Sequence, residues 1–141
     1  MFEKMIEIIG RLDALRKTAK LYHWNCNGDV FYSDHLMFDK IAENIDDWID
    51  ALSEKYMMSL KPNHIMEEEY DILVHNKDEY FGRKLSTNDE MSAELRELII
   101  QLVNLLGETD TGVRGVENQL DDIADSLMQY IGFLNKRLGE K

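Results

Sequence analysis

The sequence predicts an all-α protein: a ferritin-like four-helix bundle with a long crossover between its second and third helices. The 141 residues include one Pro and 8 Gly, and 31% are charged, a composition typical of helix-rich folds. Apolar side chains recur in steps of three and four along four stretches. The first and third links between these stretches are short, so the first helix is antiparallel to the second and the third is antiparallel to the fourth. The middle link is long enough to run back along the bundle.

The first two helices are predicted from their apolar stripes and from the signals at their ends. The first runs to about Asn25, where the turn sequence NGD at 27–29 stops it. Ser33 or Asp34 is expected to cap the second helix, and Pro62 to end it. The inward-facing residues are expected to be Phe2, Met5, Ile9, Leu12, Leu15, Ala19 and Tyr22 in the first helix, and Phe38, Ile41, Ile45, Trp48, Leu52 and Tyr56 in the second.

The periodicity weakens from Leu60 to about Ser86, although residues 64–75 favour a short helix. We interpret this stretch as the crossover, since it can run back along a helix of about 26 residues, roughly 39 Å long. Thr87 and Glu90 predict a capping box for the third helix, which runs to Gly107. A fourth helix follows with its stripe at Val113, Val116, Leu120, Ile123, Leu127, Tyr130, Leu134 and Leu138, and it stops at Gly139. Residues 1–141 are therefore expected to form a single domain.

The charge balance excludes several classes of partner. Sixteen Lys and Arg against 28 Asp and Glu give a net charge of −12, which argues against binding nucleic acid through its phosphates. With one Cys no intrachain disulfide can form, which fits a reducing compartment. The chain shows no signal segment and no apolar run near 18 residues, so we expect a cytoplasmic protein with no membrane contact.

The acidic residues of the second helix are concentrated on one face. Five carboxylates lie within about 100° of His35 on the helical wheel, on a face separate from the apolar stripe. They are Asp39, Glu43, Asp46, Asp50 and Glu54. Such a face is commonly just the wet side of an amphipathic helix, and that alternative stays open. However, the face holds no Lys or Arg, so it repels itself unless cations bind there.

Two ligand pairs stand on this face. His35 with Asp39, and Asp50 with Glu54, each have the i,i+4 spacing, and their N and O donors suit iron, manganese or zinc. The pairs are about 16 Å apart along the helix, so no ion can be shared between them within one chain. If two copies of the helix pack antiparallel about a two-fold axis, one pair faces the other and two equivalent sites result. His23, at the end of the first helix, would add a nitrogen.

The intrasubunit di-iron centre of ferritins is excluded, because it needs Glu-x-x-His on paired helices. The residues three positions before His23, His35, His64 and His75 are Lys20, Tyr32, Lys61 and Ile72. The motifs His-Glu-x-x-His, Gly-x-Ser-x-Gly and Cys-x-x-Cys and the P-loop are also lacking.

The sequence YHWN at 22–25, then G-D-x-F at 28–31, resembles the signature of the Dps family of miniferritins. The spacing from His23 to the four later candidates, His35, Asp39, Asp50 and Glu54, is similar to the ferroxidase spacing of that family. The resemblance is strong over about residues 1–58 and rests afterwards mainly on the helix pattern.

The resemblance implies a ferroxidase that stores iron and protects against oxidative damage. It implies a hollow shell of twelve subunits, in which iron(II) binds at two-fold interfaces, is oxidised preferentially by hydrogen peroxide, and is stored as a ferric mineral. His23, His35 and Asp39 would be ligands from one subunit, and Asp50 and Glu54 from its partner. Trp24 would absorb a stray oxidising equivalent near the iron, with simple packing as the alternative.

The chain departs from the family pattern in several places. It lacks a glycine-rich turn after the second helix, and it lacks a Lys/Arg-rich tail, so we do not expect DNA binding. Leu36 and Lys40 replace glutamates that would nucleate mineral, which leaves Glu43, Asp46 and Asp47 as candidates. Cys26 is expected in the core. On the fourth helix, Glu117, Asp121, Asp122 and Asp125 would line an entry pore or form a solvated face, and the solvated face is favoured.

Two other functions stay open at this point. One is a non-catalytic shell that packs DNA, which the net charge disfavours. The other is a smaller metal-binding helical oligomer whose acidic face binds a partner or a cation other than iron.

Overall fold

Four long α-helices make up most of the part of the chain that the structure, a computed structural model, describes: residues 2–60, 78–83 and 87–139. A π-helical turn, Lys55–Leu60, continues the second helix, and a 3-10 turn covers Asp78–Tyr80. The helices are α1 (Phe2–Asn25), α2 (Phe31–Glu54), α3 (Asn88–Gly107) and α4 (Arg114–Arg137). The predicted all-α bundle is confirmed. The short helix expected at 64–75 and the stop at Pro62 lie outside the described residues.

The bundle is built from two helix pairs, α1 with α2 and α3 with α4, which join mainly through α1 and α3. The predicted stripes form the core, and each large apolar side chain that is fully buried contributes about 1.5–3 kcal/mol. In α2 the stripe is buried except for Trp48, which is half-buried. The side chain of Phe2 is outside the described part. None of the described helices is long and apolar enough to cross a membrane.

The helix starts confirm one prediction and correct another. Thr87 caps α3, because its hydroxyl accepts from the Glu90 amide at 3.0 Å. The expectation that Ser33 or Asp34 caps α2 is wrong: α2 begins at Phe31 after Val30, with no side-chain capping bond. The physical reason is that the chain turns at a glycine with positive φ, Gly28, whose carbonyl accepts from the Phe31 amide at 3.0 Å.

Asp34 serves instead as the buried partner of Arg137, whose guanidinium ties three helix ends together. Arg137, at the end of α4, donates to both Asp34 oxygens, at 2.8 and 2.9 Å, and to Asp89 of α3 at 2.8 Å. The hydrogen bonds with Asp34 are the main reason that the pKa of Arg137 is raised above its ordinary value. The bidentate geometry holds α4 against the start of α2.

Residues 78–83, within the predicted crossover, pack against α1. The Gly82 amide donates to the Thr18 hydroxyl at 3.0 Å, and a Cβ at Gly82 would lie 2.6 Å from Thr18 Cγ2 and closer still to the Tyr22 hydroxyl. Glycine is therefore required for this close approach. The Arg11 guanidinium also lies over the Tyr80 ring, 4.4 Å from its centroid.

Removing the guanidinium with Arg137→Ala should lower the free energy of unfolding by about 3 kcal/mol, because the buried Asp34 carboxylate loses its counter-charge. Urea unfolding at one fixed protein concentration measures the change. Asp89→Ala is the matched control and should cost less than about 1 kcal/mol, since Asp89 is exposed. Equal losses of unfolding free energy in the two variants would show that the buried pair of Arg137 with Asp34 contributes no more than the exposed pair with Asp89.

Candidate metal centre

The fold brings three of the predicted ligands together where α1 ends and α2 begins. His23 lies in the last turn of α1, and His35 and Asp39 lie in the first turns of α2. The two imidazole rings stack with centroids 3.7 Å apart and an interplanar angle of 18°. His23 Nε2 lies 3.8 Å from Asp39 Oδ1. Two nitrogen donors and one carboxylate therefore share one partly buried corner of the molecule.

Each imidazole is held by the backbone of the other histidine. Nδ1 of His23 lies 2.7 Å from the His35 carbonyl oxygen, and Nδ1 of His35 lies 2.8 Å from the His23 carbonyl oxygen. A carbonyl oxygen can only accept, so in both neutral rings the proton is on Nδ1 and the lone pair is on Nε2. Histidines that bind metals are commonly oriented by such a hydrogen bond from the other ring nitrogen. Both rings are thus fixed in the tautomer that leaves Nε2 for a metal.

Two further side chains, those of Phe31 and Cys26, contact His35 and His23. The Phe31 ring extends the stack, with its centroid 4.8 Å from that of His35. Cys26 is buried as predicted, and its Sγ lies 3.6 Å from the His23 carbonyl oxygen. Burial is the main cause that raises the pKa of the Cys26 thiol above its ordinary value, so the thiol stays protonated and is not a metal ligand in this state.

A cation from α1 already occupies the neighbourhood of Asp39. Lys20 Nζ lies 2.6 Å from Asp39 Oδ1, and this hydrogen bond is the main cause that holds the pKa of Asp39 below its usual value. One turn earlier, Arg16 reaches Asp46 at 3.2 Å. Neither contact was predicted, because the pattern of α2 shows only the cations on α2 itself. The available signal was the spacing, since Lys20 lies three residues before His23 and so on the same side of α1.

The second ligand pair, Asp50 and Glu54, is exposed near the other end of α2. The fold does not bring it to the histidines. Within the parts of one chain that the structure describes, no three His, Cys, Asp or Glu side chains are grouped so that they could hold a metal ion. One chain thus places two imidazoles and one carboxylate at one corner, and the other predicted ligand pair lies on the far part of the same helix.

The remaining candidates lie on the surface of the single chain. Trp24 is 67% exposed and so is not a core residue. Glu43, Asp46 and Asp47 on α2 and Asp121, Asp122 and Asp125 on α4 are exposed as well. Glu117 has a structural contact instead, because its carboxylate accepts from the Thr111 amide at 2.8 Å.

The order and pairing of the four described helices define a ferritin-like four-helix bundle. Among solved structures, a tetragonal form of Mycobacterium smegmatis Dps matches with a TM-score of 0.80 and 16% identity, over 99% of this chain and 88% of that chain. A His-to-Gly mutant of Listeria innocua Dps matches with a TM-score of 0.69 and 17% identity, over 99% and 95% of the two chains. No family model and no curated protein sequence matches the chain. The chain therefore has the fold of Dps structures, as its sequence resemblance implies.

The Lys20 contact gives the metal-free protein a defined pH dependence. Since the pKa of Asp39 is lower in the folded state, its ion pair contributes stability that is fully present above the unfolded pKa of about 3.9 and is lost as the pH falls through the folded pKa. Lys20→Met should raise the pKa of Asp39 and reduce this acid-dependent loss, measured by carbon-13 NMR of labelled aspartate and by unfolding at several pH values. Lys17→Met is the control, because Lys17 pairs with Asp13 and not with Asp39. An unchanged Asp39 titration in Lys20→Met would contradict the assignment.

Proposed function

We propose that this protein is a miniferritin of the Dps family: a ferroxidase that binds iron(II) between subunits, oxidises it and stores the ferric product in a shell of twelve copies. The observation that carries the proposal is the reciprocal bonding of His23 and His35, which leaves Nε2 of both rings as donors and sets that of His23 3.8 Å from Asp39 Oδ1. The Dps fold and the ligand spacing support it. An ordinary solvated face does not need two imidazoles oriented by backbone carbonyls.

Iron(II) is the substrate of the proposed reaction. His23 and His35 would supply nitrogen donors and Asp39 a bridging carboxylate, while Asp50 and Glu54 of a second copy would supply the remaining oxygen donors. Imidazole and carboxylate together suit iron. Two iron(II) ions would each lose one electron, and one hydrogen peroxide would take both electrons and two protons to give two water molecules. Trp24, exposed beside His23, would intercept a stray oxidising equivalent.

Lys20 would have to leave Asp39 when iron binds. Its ammonium group occupies a cation position at 2.6 Å from the carboxylate, so an incoming iron ion and Lys20 compete for the same oxygen. The same contact holds the pKa of Asp39 below its usual value, so the carboxylate stays ionised to a lower pH than a free aspartate. The side chain of Lys20 is 41% exposed, so it can swing out into solvent without crossing the core.

Removing one ligand from each half-site tests the assignment. Wild-type protein titrated with iron(II) without oxygen and then given peroxide should show saturable oxidation, followed by absorbance of the ferric product. His35→Ala combined with Asp50→Ala should abolish the saturable phase, since both halves lose a donor. Glu97→Ala, which removes an exposed carboxylate on α3, is the control and should behave as wild type. Unchanged kinetics in the double variant would overturn the site.

Mixing two inactive variants tests whether the site lies between subunits. His35→Ala breaks one half of the site, and Asp50→Asn with Glu54→Gln breaks the other. When the two are disassembled and reassembled together, a mixed pair contains one intact site and one doubly broken site. Random pairing should then restore about a quarter of the wild-type sites. Because neither variant holds both halves, no recovery on mixing would count against a shared site if each chain alone assembles normally.

A further inference from the structure

Two exposed carboxylates, Glu43 and Asp46, lie between the ligand pairs of α2. A cation from α1 reaches one of them: Arg16 Nη1 lies 3.2 Å from Asp46 Oδ1. Through its other terminal nitrogen, Arg16 donates to Asp13 at 2.6 Å, and its side chain is 35% exposed. The guanidinium is therefore anchored on its own helix and turned towards the acidic face of α2.

The proposed two-fold pairing, on which this inference rests, determines what meets this part of α2. The antiparallel arrangement that sets Asp39 opposite Asp50 of the second copy also sets Glu43 opposite Asp46, and both lie close to the axis. Two copies would therefore bring four carboxylates together at the axis. Like charges at such distances repel strongly where water is excluded. The contact would then require cations at the axis, and Arg16 is in position to supply them because it is bonded to Asp46.

We propose that Arg16 is the residue that allows two copies to pair. Anchored on its own Asp46, its guanidinium would donate to Glu43 of the second copy, so that carboxylates and guanidiniums alternate around the axis. Arginine suits this role because its planar fork offers five donors, of which the contacts with Asp13 and Asp46 use two. Glu43 and Asp46 would then be interface residues and not mineral sites of the interior.

The surface beside Arg16 has the shape and chemistry for a second copy. An open groove of about 720 Å³ lies between α1, α2 and residues 81–82, with Arg16 and Glu43 in its lining. Leu21 and Trp24 line the same groove and are exposed, at 37% and 67%. Apolar side chains next to opposite charges are typical of protein interfaces, with arginine and aromatic residues enriched there. The groove is also continuous with the half-site, since Lys20 lines it.

The test compares the assembly of Arg16→Ala with that of the wild type. Mass is measured by light scattering and sedimentation over a range of protein concentrations, and helix content by circular dichroism. Arg16→Ala should fold but dissociate at a protein concentration about tenfold higher or more, because the carboxylates at the axis lose their counter-charges. Arg114→Ala is the matched control, as it removes an exposed arginine in the first turn of α4 and should assemble as wild type.

A charge-neutral rescue separates loss of pairing from loss of folding. Adding Glu43→Gln and Asp46→Asn to Arg16→Ala removes the repulsion and should restore assembly. Assembly of Arg16→Ala like the wild type, or no recovery in the triple variant, would overturn the role of Arg16. If the wild type assembles and oxidises iron while Arg16→Ala is unaffected, the proposed function stands and this inference fails. A wild type that remains a monomer would overturn both.

Discussion

The two hydrogen bonds exchanged between His23 and His35 are the interaction on which the candidate site depends. Each ring is hydrogen-bonded to the backbone of the other helix. The position of α1 against α2 therefore determines the orientation of both imidazoles. The tight turn at Gly28 makes this possible, because it starts α2 at once and keeps the two helix ends close. A shift of either helix would disturb both rings together. The packing of α1 on α2 is therefore as important for the chemistry as the ligands themselves.

The periodic features of the sequence predicted the fold well. The contacts between helices could not be predicted from the sequence. The apolar stripes and the Thr87 cap follow from residues on one helix, where spacing alone determines which side chains share a face. The ion pair of Lys20 with Asp39 depends on how α1 is rotated against α2, which no spacing within α2 reveals. Asp34 resembled a cap because short acids favour that position, but Arg137, which is far away in sequence, holds it in the core.

The cations that offset part of the net charge of −12 are unevenly distributed along the acidic face of α2. Among the acids of α2, Asp39 and Asp46 are each offset by a cation from α1. For Asp50 and Glu54 the structure records no such pair with another described residue. Among the described residues, cations from α1 therefore pair with the amino-terminal and middle parts of the acidic face only. Under the proposed antiparallel pairing, Asp50 and Glu54 of the second copy would be brought to the imidazoles.

If the proposed site is shared, iron binding and assembly are linked. A metal that binds the pair but not the separate chains stabilises the pair by an amount that grows with the logarithm of the metal concentration, and pairing raises metal affinity by the same factor. Lys20 weakens the half-site of a separate chain further, because any metal there must displace an ammonium group from Asp39 while gaining few oxygen donors. In the pair, Asp50 and Glu54 of the second copy would offset that cost. Iron would then be oxidised where two copies meet and where the product can be stored, and not on free chains in solution.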